Sequence, residues 1–291
     1  MLVRMILAFR ARLLVSVPVA LWRLSSIGER RAAAAARILM FHGTPRAQAR
    51  ELERQLRYLA RRFKIVALTE NLSPGTLALT FDDGLRSNVE VAYPILARLG
   101  LPATFFVCPG LIDERRWLWS YEARARLHRL GADLETTERR VEQMKRVSLP
   151  ARRALEERLR RETPDFRPSA AEREAFDLAG WDELRSLDPA LVAIGSHTLT
   201  HPILTTLEAA EVEREICGSR ELLEQRLGRP VELFCYPNGA IDSTALALAR
   251  RTYRVAVTVA PGAVQPGCDP LLLPRLAAPR GLLRLAWQIS P

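Results

Sequence analysis

Lysine is almost missing from this chain: of its 43 basic residues only Lys64 and Lys145 are lysines. A skew that uniform reads as a composition bias and not as an adaptation to one partner, although the formal net charge reaches +10. No nucleic-acid motif accompanies the charge, so no nucleic acid is expected as a partner. An anionic glycan or lipid surface is the class the charge leaves open. Cysteine is scarce. The spacing of Cys108, Cys217, Cys235 and Cys268 fits neither a zinc ribbon nor a dense disulfide framework. Free thiols are expected, with a disulfide left open. There is no internal repeat and no long low-complexity tract. With 48% hydrophobic and 26% charged residues, a packed core is expected and global disorder is not.

The first 36 residues read as a basic, apolar segment and linker. Their apolar run, residues 13–22, is shorter than the roughly 20 residues that span a bilayer. Arginines precede it, so residues 1–27 fit an interfacial amphipathic helix in peripheral contact with a membrane. A signal segment or a plain packed helix are the alternatives. A bacterial chain, cytoplasmic or membrane-associated, is the expected setting, with export by an N-terminal signal left open.

From residue 37 onward, short apolar runs alternate with helical stripes. Residues 37–43, 77–81, 103–107, 191–195, 231–236, 253–259 and 271–276 read as strands. Such alternation implies an α/β fold with a parallel sheet, open or closed. Residues 111–188 are Arg/Glu-rich and helical in pattern, and read as an insertion in the same domain, 37–291. Trp117, Trp119 and Tyr121 stand at its start, either to anchor it or to stack on a sugar.

Histidine is rarer still, with four in 291 residues, and three of them follow strands. His42 ends the first strand. His197 and His201 follow the 191–195 strand, four residues apart. On a helix that spacing would place both imidazoles on one face, as two ligands of one metal require. Asp82 and Asp83 end the 77–81 strand, where two adjacent carboxylates repel unless a cation neutralises them. Parallel α/β folds gather their sites at the carboxyl ends of strands, where Asn238 also falls. One carboxylate with two histidines suits Zn²⁺ or another first-row divalent ion. The second carboxylate can take a proton from water. The set describes metal-assisted hydrolysis of an amide or ester. The competing reading of Asp82-Asp83-Gly84 is a plain turn.

Thr80-Phe81-Asp82-Asp83-Gly84 together with Ser196-His197-Thr198-Leu199-Thr200-His201-Pro202 resembles the first two motifs of the polysaccharide deacetylases with the NodB homology domain, carbohydrate esterase family 4. The stretches 38–42 and 234–239 look like the opening strand and third motif of a bacterial subgroup. The resemblance implies a distorted (β/α) barrel of about seven strands. It implies one divalent metal ion, Zn or else Co or Ni, on Asp83, His197 and His201, with Asp82 as general base. It implies removal of N-acetyl groups from the amino sugars of a glycan or its precursor. Tyr236, Pro237 and Trp119 are then expected near substrate, and a backbone N–H near Asn238 as oxyanion donor. The sequence departs from the family twice. Cys235 stands in the stretch where relatives carry an arginine, and Arg275 stands where they carry an acid histidine. Arg275 is expected to orient Asp82 or bind substrate, and His42 to protonate the leaving amine. Catalytically inactive glycan binding, or action on a lipid-linked sugar, are the alternative functions.

Overall fold

The computed structural model describes residues 35–289. The segment expected to contact a membrane, residues 1–27, lies outside them. The element order begins with β1 (Arg37–Phe41), helix α1 (Ala49–Ala60), the short β2 (Lys64–Val66) and β3 (Thr76–Phe81). After β3 a π-helical turn (Asn88–Ala92) feeds α2 (Tyr93–Leu99), and β4 (Ala103–Val107) follows. The strands β5 (Val192–Ser196), β6 (Leu233–Cys235), β7 (Val255–Pro261) and β8 (Leu273–Ala277) complete the sheet.

All strand pairs are parallel, in the order β1-β8-β7-β6-β5-β4-β3-β2, and β1 also pairs with β3 along its whole length. That last pairing closes seven strands into a barrel. β2 stays outside the ring: it pairs with Thr76–Ala78 on the edge of β3 that β4 takes over at Thr80 and Phe81. The expectation of about seven parallel strands therefore holds, with one extra edge strand.

Strand parity divides the core. Ile38, Ala78, Phe106, Cys235, Val257 and Leu273 fill the barrel interior. Their neighbours Leu39, Leu79, Phe105 and Phe234 face outward, where Leu52, Leu56 and Leu59 of α1 and other helical residues cover them. A parallel sheet buried on both faces needs such continuous apolar strands, and every residue of β3 and β4 is buried.

Residues between β4 and β5 form the expected helical insertion: α3 (Pro109–Glu114), α4 (Trp119–Arg129), α5 (Leu134–Met144), α6 (Leu149–Glu162), α7 (Ala170–Phe176) and α8 (Trp181–Arg185). α4, α5 and α6 share a small core of their own, around Trp119, Leu127, Val141 and Leu159. The long helix α9 (Ala209–Leu227) follows a 3-10 turn at Leu204–Thr206. Glu208 is its N-cap, and Glu211 reaches back to the Glu208 N–H at 3.3 Å. Asp242 caps α10 (Ser243–Thr252), accepting from the Ala245 N–H at 2.8 Å. α11 (Leu282–Gln288) closes the chain against α1. All four cysteines are free.

Candidate active site

The site lies at the carboxyl end of the barrel. Immediately after β3, Asp83 and Gly84 both take left-handed backbone angles, φ 76° and 69°. Gly84 is required there twice over, since a Cβ would also sit 3.0 Å from Val107. The turn separates the two carboxylates, each less than 4% exposed, and gives them different partners.

Asp82 keeps the parity of Ala78 and Thr80 and faces inward. There it meets Arg275 of β8, which is 1% exposed. Nη1 and Nη2 donate to Oδ1 and Oδ2, both at 2.7 Å, a two-pronged ion pair. The same guanidinium donates to the Thr258 carbonyl at 2.8 Å, to Thr80 Oγ1 at 3.0 Å and to Cys235 Sγ at 3.0 Å. Burial by itself would raise the Asp82 pKa. The Arg275 charge and hydrogen bonds outweigh it and hold the carboxyl well below the usual range. Arg275 thus holds both oxygens of Asp82.

Asp83 turns to the histidines. Its Oδ1 lies 3.6 Å from Nε2 of His197 and 3.6 Å from Nε2 of His201, and all three residues are buried. These gaps are too long for hydrogen bonds. Two ligands on one tetrahedral zinc-sized ion would stand about 3.4 Å apart. Three donor atoms converging without bonding each other is the arrangement a metal ion would complete. The protonation states agree. Burial pushes the His197 pKa down, and burial with the neighbouring His197 pushes His201 down to about 3, so both imidazoles are neutral at pH 7. His197 Nδ1 sits 2.7 Å from the Cys235 carbonyl, which fixes the tautomer that leaves Nε2 a ligand.

The His-x-x-x-His segment is not helical, contrary to the condition under which the two rings were expected to share a face. Residues 197–202 form an irregular loop with left-handed Thr198 (φ 66°) and His201 (φ 56°), which brings the ring centroids to 4.7 Å. Glu215 of α9 braces it, accepting from Thr200 N–H at 2.9 Å and Thr200 Oγ1 at 2.6 Å. Sequence reasoning missed Glu215, because nothing marks one glutamate among many in a long helix.

Three residues expected near substrate stand elsewhere. Tyr236 is fully buried, its ring packed on Phe234 (4.8 Å, 81°). It shares the outward parity of Phe234, and Cys235 takes the interior position. Pro237 beside it is also buried. Trp119 is 4% exposed and donates its indole N–H to the His201 carbonyl at 3.1 Å. Tyr121, expected as an anchor or a sugar platform, donates its hydroxyl to Asp83 Oδ2. His42 follows β1 and is exposed. Asn238 is exposed, with a left-handed φ of 52° after β6. His128 is exposed on the insertion, away from this set.

Known proteins repeat this barrel. The deacetylase PplD of Streptococcus pyogenes, solved in complex with acetate, superposes with a TM-score of 0.61 over 88% of this chain and 98% of its own, at 18% identity. IcaB of Ammonifex degensii gives 0.59 over 89% and 98%, at 19% identity. In sequence, the protein YxkH of Bacillus subtilis is 24% identical over 199 residues, which cover 67% of this chain and 50% of that protein. The chain thus matches only half the length of that relative. The family model for polysaccharide deacetylase matches residues 69–256, a span that carries Asp82, Asp83, His197, His201 and Cys235 and leaves out His42 and Arg275. That span exceeds half of the 291 residues, and the barrel with its buried Asp-His-His set agrees with it: the chain belongs to the polysaccharide deacetylase family.

Proposed function

We propose that this protein is a metal-dependent hydrolase that removes N-acetyl groups from the amino sugars of a bacterial polysaccharide or its precursor. One observation carries the reading: Asp83, His197 and His201 converge on one point, beside a second carboxylate aimed by Arg275. Asp83, His197 and His201 would hold a divalent ion, Zn²⁺ first, with Co²⁺ or Ni²⁺ as substitutes. Such an ion lowers the pKa of water and polarises an acyl oxygen.

The chain's own residues supply the rest. Asp82 accepts the proton of the attacking water. Arg275 fixes the Asp82 plane and, through its other three hydrogen bonds, cannot swing away. The N–H of Asn238, at the exposed turn after β6, is the donor assigned to the acyl oxygen as charge develops on it. His42 delivers a proton to the leaving amine nitrogen, which compensates for the arginine at the position where relatives carry an acid histidine. Residues 1–27 would bring the enzyme to an anionic membrane surface, a point that co-sedimentation with anionic vesicles tests.

The decisive experiment is acetate release from N-acetylglucosamine oligomers. It is run on metal-stripped protein and after restoring Zn²⁺, Co²⁺ or Ni²⁺, beside Asp82→Asn. Metal-dependent release that the variant loses is the expected result. Protein that binds one ion per chain yet releases nothing would reject this substrate class. Protein that binds no ion would reject the hydrolase.

A further inference from the structure

The helical insertion touches the Asp-His-His set at two points, both from the first turn of α4. Trp119 donates its indole N–H to the His201 carbonyl at 3.1 Å, and Tyr121 donates its hydroxyl to Asp83 Oδ2. We propose that Trp119 and Tyr121 are positioning residues of the metal centre: α4 is its outer clamp, fixing Asp83 as a one-oxygen ligand and His201 through its backbone. The inference rests on the metal-binding reading of Asp83, His197 and His201.

The two oxygens of Asp83 have separate partners. Oδ1 faces both imidazoles at 3.6 Å, and Oδ2 is taken by Tyr121. With the phenol in place, the carboxylate cannot rotate to offer both oxygens to one ion. A ligand position that a second oxygen would fill stays free for water or substrate.

His201 needs holding for a different reason. The Nδ1 of a ligating histidine is ordinarily fixed by an acceptor, as His197 Nδ1 is by the Cys235 carbonyl at 2.7 Å. His201 Nδ1 is buried and has no protein partner among the described residues. Its backbone is also in the sparsely populated left-handed region, φ 56°. The peptide is pinned instead: the His201 N–H donates to Thr198 Oγ1 at 3.0 Å, and its carbonyl accepts from Trp119. Ring orientation at His201 is thereby set from the main chain.

The insertion is built to keep both donors still. Arg152 of α6, 6% exposed and paired with Glu156 at 2.9 Å, lays its guanidinium 4.7 Å from the centre of the Trp119 ring. Phe176 of α7 stacks on Tyr121, centroids 4.7 Å apart and planes 16° apart. If these contacts only docked the insertion, removing the two hydrogen-bonding groups would change stability and leave the metal alone.

Tyr121→Phe keeps the stacked ring and deletes only the hydroxyl. Trp119→Phe keeps an aromatic ring under Arg152 and deletes the indole N–H together with the five-membered ring that carries it. Each full-length variant is titrated with Co²⁺ beside the wild type, reading the dissociation constant and the visible d–d band, with a melting curve of the metal-free protein alongside. Loss of such outer partners ordinarily costs about 10–100-fold in metal affinity. That loss is expected for Tyr121→Phe, with a weaker band as Asp83 becomes free to bind through both oxygens. A smaller loss is expected for Trp119→Phe, which also carries the test should Tyr121→Phe fail to fold. Variants that match the wild type in affinity and spectrum overturn the clamp and leave the metal centre standing. A wild type that takes up no Co²⁺ overturns both.

Discussion

Replacing Arg275 with methionine should cost more stability than any other single change in the barrel interior. The side chain is 1% exposed and donates five hydrogen bonds, two of them to a carboxylate that is itself 2% exposed. Removing one partner of a buried ion pair leaves the other as an unpaired buried charge, which costs about 3–5 kcal/mol. The Thr258 carbonyl loses its charged donor as well, adding about 1 kcal/mol. The expected total, about 4–6 kcal/mol, is a large share of the roughly 5–15 kcal/mol that holds a domain folded. The second arm is Asp82→Asn in the same background. With the charge gone, most of the penalty goes too, and the double variant should lie within about 1–3 kcal/mol of wild type. Urea unfolding of the metal-free protein at fixed ionic strength reads both values. Arg275→Lys should fall between, since an ammonium cannot fork across two oxygens. A cost below about 1 kcal/mol for Arg275→Met, or a double variant as unstable as the sum of its singles, would refute the argument that Arg275 exists to hold Asp82.

Glu215→Ala should destabilise by about 2–4 kcal/mol, since it strips both hydrogen bonds from Thr200 and leaves a void. Glu215→Gln should cost under about 1 kcal/mol, because an amide can accept from the Thr200 N–H and donate to its hydroxyl. Urea unfolding and metal stoichiometry distinguish the two variants. Glu122 is partly buried, which would raise its pKa, but hydrogen bonds and charge from Arg160 and Arg126 outweigh this and lower it. A lowered carboxyl contributes stability that is present above its unfolded value near 4.5 and is lost as pH falls through the folded value. Glu122→Gln should therefore flatten the acid limb of the stability curve below about pH 4.5 and weaken the protein at pH 7 by about 1–2 kcal/mol. His42→Gln should lower kcat on N-acetylglucosamine oligomers by about 10²-fold or more with little change in metal affinity, as expected for a lost proton donor. Unchanged turnover would remove His42 from the mechanism.

Much of the site was legible because its chemistry sits on rare residues in marked places. Four histidines in 291 residues make a pair at a strand end conspicuous, and two adjacent carboxylates at another strand end have few inexpensive explanations. Once the runs from residue 37 onward are strands of one parallel barrel, their carboxyl ends meet at one face. The path of the His197–His201 loop was not legible. Left-handed angles at Thr198 and His201 leave no trace in residue type, unlike Gly84, which the sequence displays.

Tyr236 was placed near substrate for a different and correctable reason. In a closed barrel, alternation along a strand decides inside from outside. Ile38, Ala78 and Leu273 show which parity faces in, and β6 then turns Leu233 and Cys235 to the interior, sending Tyr236 out with Phe234 to the helical layer. The same rule puts Arg275 on the inward parity of Leu273, where a guanidinium must find a carboxylate, and Asp82 is the one whose parity faces it. Cys235 and Arg275 meet inside the barrel: β6 presents a small thiol, and β8 supplies the cation, with Nη2 3.0 Å from that sulfur. No parity rule reaches Tyr121, because its contact with Asp83 joins an inserted helix to a strand end 38 residues away in the chain. Such a contact can be read only from a folded insertion, which is why aromatics at an insertion's start are better tested against the nearest metal ligand than assigned to a sugar.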